Sequence, residues 1–128
     1  MAGERVLLVE DNERNVKLLR DVLQATGYRT LEAPTGGRAI ALATSHRPAL
    51  VLMDVRLPDM TGIEALGRLR ADPRTARIPV LAVTAQAMKG DLERFIAAGF
   101  DGYLPKPIDI DALLTAVDQH CRRGPDSA

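Results

Sequence analysis

Three runs of four apolar residues, Val6-Leu7-Leu8-Val9, Leu50-Val51-Leu52-Met53 and Val80-Leu81-Ala82-Val83, contain no polar alternation. A strand with one wet face alternates, whereas a strand covered on both faces does not, and helices provide that double cover in a parallel sheet. The runs therefore predict the inner strands of an α/β fold. Elsewhere the apolar spacing changes to three and four residues, at Leu19, Val22 and Leu23, at Leu92, Phe95 and Ile96, and at Ile110, Leu113, Leu114 and Val117. Each set forms a buried stripe on one face of a helix. Weaker strands over Arg29 to Ala33 and Gly102 to Leu104, and weaker helices over Gly37 to Ser45 and Ile63 to Arg70, complete an alternation of five strands and five helices.

Gly27, Gly36-Gly37, Pro48, Pro58, Gly62, Pro73, Pro79, Gly99 and Gly102 are read as falling between the periodic segments, which supports these boundaries. Gly90 falls at the start of the fourth helix and weakens its first turn. Strict alternation with right-handed crossovers predicts a three-layer, doubly wound, five-stranded parallel sheet in the flavodoxin-like order 2-1-3-4-5. A chain of 128 residues suggests one domain, drawn here over residues 1–121, with 122–128 as a frayed tail.

Charge and cysteine content exclude several functions. Seventeen basic residues balance seventeen acidic ones, and Arg122-Arg123 is too short a basic run for a nucleic-acid footprint, so no direct nucleic-acid contact is expected. The single cysteine, Cys121, cannot form an internal disulfide, and no Cys/His cluster suggests zinc; cytoplasmic residence is expected. Met1 to Arg5 is polar, and Val6 to Val9 is too short for a signal peptide or a membrane span.

In a doubly wound sheet the ligand crevice lies outside the carboxyl ends of the strands, where strand order reverses. The first strand ends at Glu10-Asp11, the third at Asp54 and the fourth at Thr84, and the fifth is followed by Lys106-Pro107. Singly, a Glu-Asp pair after a strand is a solvated turn or a helix cap. Together they place three carboxylates, a hydroxyl and an ammonium on one rim. Lys106 is one of three lysines against fourteen arginines. Clustered carboxylates repel unless a cation compensates them. Hard oxygen donors without nitrogen or sulfur favour magnesium, which keeps positions open for water and phosphate oxygens. Phosphoryl chemistry follows, with Asp54 as acceptor at the crevice floor, Glu10 and Asp11 holding the metal, and Lys106 and Thr84 meeting phosphoryl oxygens.

Val9-Glu10-Asp11-Asn12, Leu52-Met53-Asp54, Leu57-Pro58-Asp59-Met60-Thr61-Gly62, Val83-Thr84-Ala85 and Lys106-Pro107 together resemble the signature of bacterial response-regulator receiver domains over residues 5–121. The resemblance implies a magnesium-dependent phosphoacceptor for histidine kinases, phosphorylated on Asp54. It implies direct metal ligation by Asp11 and Asp54, ligation through water by Glu10, and a backbone ligand from the Arg56 carbonyl. Thr84 and Tyr103 match the family's switch pair, the alternative for Tyr103 being core filler at a strand edge. The Lys106-Pro107 bond is expected to be cis. Gln86-Ala87-Met88-Lys89-Gly90-Asp91 is similar to single-domain regulators of the DivK cell-division type and to receivers attached to hybrid kinases. Arg56 and Gln86 occupy the family positions that tune acyl-phosphate hydrolysis. Gly102 stands where dimerising transcription factors of the family carry an acidic residue, and the fifth helix carries Asp111 and Asp118, so a monomer or weak dimer is expected.

The resulting expectation is a stand-alone receiver, not an enzyme beyond its own phosphorylation and dephosphorylation. It takes a phosphoryl group from a histidine kinase or histidine phosphotransfer protein and signals to a downstream protein target. The contact face is expected at the fourth helix, fifth strand and fifth helix, including Met88, Lys89, Tyr103 and Pro105. Two rivals are an aspartate-nucleophile phosphatase, which needs a second acid where Arg56 stands, and a pseudo-receiver that takes no phosphate. His46 and His120 at helix ends receive no role; Asp109 reads as a helix cap, Asp59 and Thr61 as shaping the loop after Asp54, and Met53 and Met60 as packing residues.

Overall fold

The structure, a computed structural model, describes residues 3–85 and 89–122, apart from the side chains of Lys89 and Arg122. Five parallel strands, β1 (Arg5–Val9), β2 (Arg29–Ala33), β3 (Leu50–Asp54), β4 (Val80–Thr84) and β5 (Gly102–Pro105), form one sheet in the order β2-β1-β3-β4-β5. They alternate with α1 (Glu13–Ala25), α2 (Gly36–His46), α3 (Gly62–Ala71), α4 (Lys89–Ala98) and α5 (Ile110–Arg122). Every strand and helix expected from the apolar pattern is present, but Gly36, Gly37, Gly62 and Gly102, read as punctuation between elements, instead stand at the first positions of α2, α3 and β5. Helix α5 continues through Arg122, one residue past the boundary drawn for the tail, and residues 123–128 lie outside the described residues.

Side chains two apart on a strand face the same side, which accounts for the unbroken apolar runs. Leu7, Val9, Val51, Met53, Val80 and Ala82 join one core with α2, α3 and α4. Val6, Leu8, Leu50, Leu52, Leu81 and Val83 join the other with α1 and α5. Each fully buried Leu or Val contributes about 1.5–3 kcal/mol relative to exposure. Phe95 and Phe100 close the first core edge to face, with ring centroids 6.1 Å apart. Met53 is fully buried and Met60 packs at the rim of the same core, as expected of packing residues.

Two members of the expected buried stripes are corrected. Ile96 is 50% exposed, because it lies about 100° round the helix from Phe95, which faces the sheet. Ile110 is 43% exposed: it opens α5, with no preceding turn to cover it. Asp109 caps α5, its Oδ1 accepting from the N–H groups of Asp111 (2.9 Å) and Ala112 (3.3 Å). His46 and His120 bond locally, to the Ser45 hydroxyl and the Ala116 carbonyl. Among the described residues, no helix is long and apolar enough to cross a membrane.

Candidate functional site

The strand order reverses between β1 and β3, and the residues after their carboxyl ends form a cleft of about 380 Å³. Glu10 extends β1 by one ladder bond, its N–H donating to the Ala33 carbonyl at 3.1 Å, which holds its side chain inward at 4% exposure. Asp11, next along the chain, is exposed. Asn12 then caps α1, its Oδ1 accepting from the N–H groups of Arg14 (3.0 Å) and Asn15 (3.2 Å). The same turn grips Glu10: the Asn12 N–H donates to Oε2 and the Asn15 amide to Oε1, both at 3.2 Å.

Asp54 ends β3 at 8% exposure, and its Oδ1 accepts from the Arg56 N–H at 3.0 Å. Thr84 ends β4, buried, and its carbonyl accepts from the Lys106 N–H at 2.8 Å. The Lys106-Pro107 peptide is cis, as expected. The Lys106 ammonium enters the cleft and lies 2.9 Å from Glu10 Oε1 and 3.0 Å from Asp54 Oδ2. Carboxylate oxygens of Glu10, Asp11 and Asp54 all lie within 4.8 Å of one another, a spacing at which one cation can touch all three. The donors are all hard oxygens, which suits a hard divalent ion.

Burial shifts both ends of the ion pair. It pushes the Glu10 carboxyl above its ordinary value, and neighbouring Asp54 adds to that rise while Lys106 opposes it. For Lys106 burial is the largest single influence and favours the neutral amine. The hydrogen bonds to Glu10 and Asp54 and the charges of those two carboxylates together outweigh it, so the ammonium sits above its ordinary value and remains charged at neutral pH.

Glu10, Asp11, Asp54, Thr84 and Lys106 thus meet at one rim, and Arg56 lies on its edge. Tyr103 does not join them: the residue is 41% exposed on β5, opposite Ala82 in register. Gln86 and Met88 lie outside the described residues. Sequence reasoning missed Asn15, whose only sign is its place in the first turn after a capping Asn. It also missed the reach of Asp59, whose carboxylate sits on the first turn of α2.

The profile described as the response regulator receiver domain matches residues 6–118. The chain belongs to the response regulator receiver family. It is 44% identical over 115 residues to the polar-differentiation response regulator DivK of Brucella anthropi, covering 90% of this chain and 94% of that protein. Among solved structures it is similar to the receiver domain of the sensor histidine kinase PA1611 from Pseudomonas aeruginosa (TM-score 0.87, 36% identity, 94% and 99% coverage), a structure with magnesium coordinated in its active-site cleft. It is also similar to the chemotaxis response regulator CheY4 of Vibrio cholerae (TM-score 0.87, 28% identity, 93% and 99% coverage). This receiver is therefore a two-component signalling module with a phosphoacceptor role, not an enzyme of the ordinary kind.

Proposed function

We propose that Asp54 is the phosphoacceptor of this receiver, with Glu10, Asp11, Asp54 and the Arg56 carbonyl holding a magnesium ion and Lys106 and Thr84 contacting the transferred group. The observation that carries the assignment is the convergence of Glu10, Asp11 and Asp54 oxygens within 4.8 Å, with Lys106 Nζ on two of the three carboxylates. Magnesium, when bound, neutralises negative charge on the nucleophile and the incoming phosphate. An Asp54 carboxylate oxygen forms the new O–P bond while the N–P bond of a phosphohistidine breaks, its electron pair returning to the ring nitrogen. Lys106 supplies a fixed positive charge to a phosphoryl oxygen, and the Thr84 hydroxyl donates to another. Asn12 and Asn15 hold Glu10 by its two oxygens, which fixes it toward the cleft.

The receiver acts in the cytoplasm, and its phosphoryl donor is a histidine kinase or histidine phosphotransfer protein. The output is a population shift read by a downstream protein target at the face of α4, β5 and α5, with Tyr103 turning inward as Thr84 moves. The exposure of Tyr103 on β5 supports this, since it places the side chain on that face. A balanced net charge supports a protein target over direct nucleic-acid binding, and Gly102, Asp111 and Asp118, which depart from the charges of the family's dimerising members, support a monomer or weak dimer.

Incubation with acetyl phosphate and magnesium, followed by intact mass measurement, tests the assignment. The wild-type chain is expected to gain one phosphoryl group, and Asp54→Asn to gain none. Labelling of Asp54→Asn at the wild-type level, or of the wild type in excess chelator, overturns it.

A further inference from the structure

The segment after Asp54 is fastened at both ends. At its base the Gly62 N–H donates to the Val55 carbonyl at 2.7 Å, and Arg56 pairs with Thr61 in an antiparallel bridge. At its tip Asp59 reaches across the fold to α2: Oδ1 accepts from the Gly36 N–H at 2.8 Å and Oδ2 from the Gly37 N–H at 2.9 Å. These two amides open α2, where N–H groups have no intrahelical partner and a carboxylate is favoured by the helix dipole. Met60 wedges beneath the same turn. A Cβ at Gly36 would fall 2.6 Å from Met60 Cγ, so glycine there gives the loop room to dock.

The α2 turn does not need Asp59 as its cap. Thr35 already serves as the N-cap, its hydroxyl accepting from the Arg38 N–H at 3.1 Å. Asp59 adds a link between the strand end bearing Asp54 and a separate helix. Arg56 belongs to the base fastening, and its N–H holds Asp54 Oδ1 while its carbonyl is the assigned backbone ligand.

We infer that Asp59 is a positioning residue for the metal site: by pinning the tip of the β3–α3 loop to α2, it holds the Arg56 carbonyl and the Asp54 carboxylate in the arrangement that grips the ion. The inference rests on the ligand assignment proposed above. It differs from a plain capping role in its consequence, because a cap affects stability alone whereas a positioning contact also affects affinity for the ion.

Calorimetric titration of the full chain with magnesium chloride separates the two, using Thr35→Ala as the control that weakens the same helix end without touching the loop. Asp59→Ala is expected to weaken magnesium binding about tenfold, the lower end of the effect of outer-sphere partners. Thr35→Ala is expected to leave it unchanged while lowering the melting temperature. Should Asp59→Ala fail to fold, Asp59→Asn, which keeps one acceptor oxygen, carries the test with a smaller loss in the same direction. Equal affinity in the wild type, the Asp59 variant and Thr35→Ala overturns the positioning role and leaves the ligand assignment standing. Absence of magnesium binding by the wild type overturns both.

Discussion

Alanine at Gly62 and alanine at Gly67 are expected to change stability in opposite directions, although both glycines lie in α3. At Gly62 the new Cβ falls 2.7 Å from the Asp54 carbonyl oxygen and 2.9 Å from Val55 Cα. Both are backbone atoms of the strand end that carries the site, so no side-chain rotation relieves the clash. The loop must open, which strains the 2.7 Å hydrogen bond from the Gly62 N–H to the Val55 carbonyl. Overpacking of this kind costs about 1–3 kcal/mol. The hydrogen bond contributes about 1 kcal/mol, and the helix preference of alanine returns less than about 1 kcal/mol. The net is a loss of about 2 kcal/mol, or roughly 6–10 °C in melting temperature for a chain of this size. Gly67 has open space where its Cβ would stand, so only the helix preference remains and Gly67→Ala gains about 0.5–1 kcal/mol. Urea unfolding followed by far-UV circular dichroism measures both. A Gly62→Ala variant as stable as the wild type refutes the close-approach argument, and a destabilised Gly67→Ala refutes the reading of α3 as unobstructed on that side.

Two further predictions concern titrating groups away from the acidic cluster. Burial pushes the Cys121 thiol up to about 12, so at pH 8 it is expected to react with a disulfide reagent only as fast as the chain unfolds; rapid labelling of the folded protein contradicts the packing of α5. Asp59 is held below the ordinary carboxylate value, first by the Gly37 N–H and then by that of Gly36. Its contribution is therefore complete above the unfolded carboxylate pKa and is lost as pH falls through the depressed folded value. Thermal melts at pH 7 and in strong acid are expected to show the gap between wild type and Asp59→Asn shrinking in acid, and a constant gap rules out the ionised docking contact.

The fold was legible because the inner strands of a parallel sheet have no wet face, and Val6 to Val9, Leu50 to Met53 and Val80 to Val83 announce that directly. Periodicity gives the phase of a helix and not the extent of what covers it, which is why Ile96 and Ile110 were placed inside and are exposed. The cluster of Glu10, Asp11, Asp54 and Lys106 was legible for a topological reason: in this architecture, strand ends distant in sequence share one rim. Side-chain rotation was not legible, so for Tyr103 the core and the contact face both stayed open until the structure placed it outward. Nor was the docking of Asp59, which joins residues 23 apart through backbone amides that any residue but proline offers.

Charge balance connects the site to a signalling role. With Glu10, Asp11 and Asp54 ionised and Lys106 charged, the cluster carries a formal charge of about minus two, which one divalent ion cancels. On the proposed assignment, phosphorylation replaces the single negative charge of Asp54 with about two on the phosphoryl oxygens. The site is then short by about one positive charge, in a cleft where burial already raises the cost of excess negative charge, as the upward shift of Glu10 records. Lys106 bonds two of the carboxylates and cannot supply a second charge. One means of compensation is to draw in a further donor, and the Thr84 hydroxyl, at the adjacent strand end and lining the cleft, is proposed for this part. A deficit at the strand ends thereby becomes a pull on β4 and on the α4 and β5 segments that follow it, which gives a local change of charge a route to the exposed surface around Tyr103.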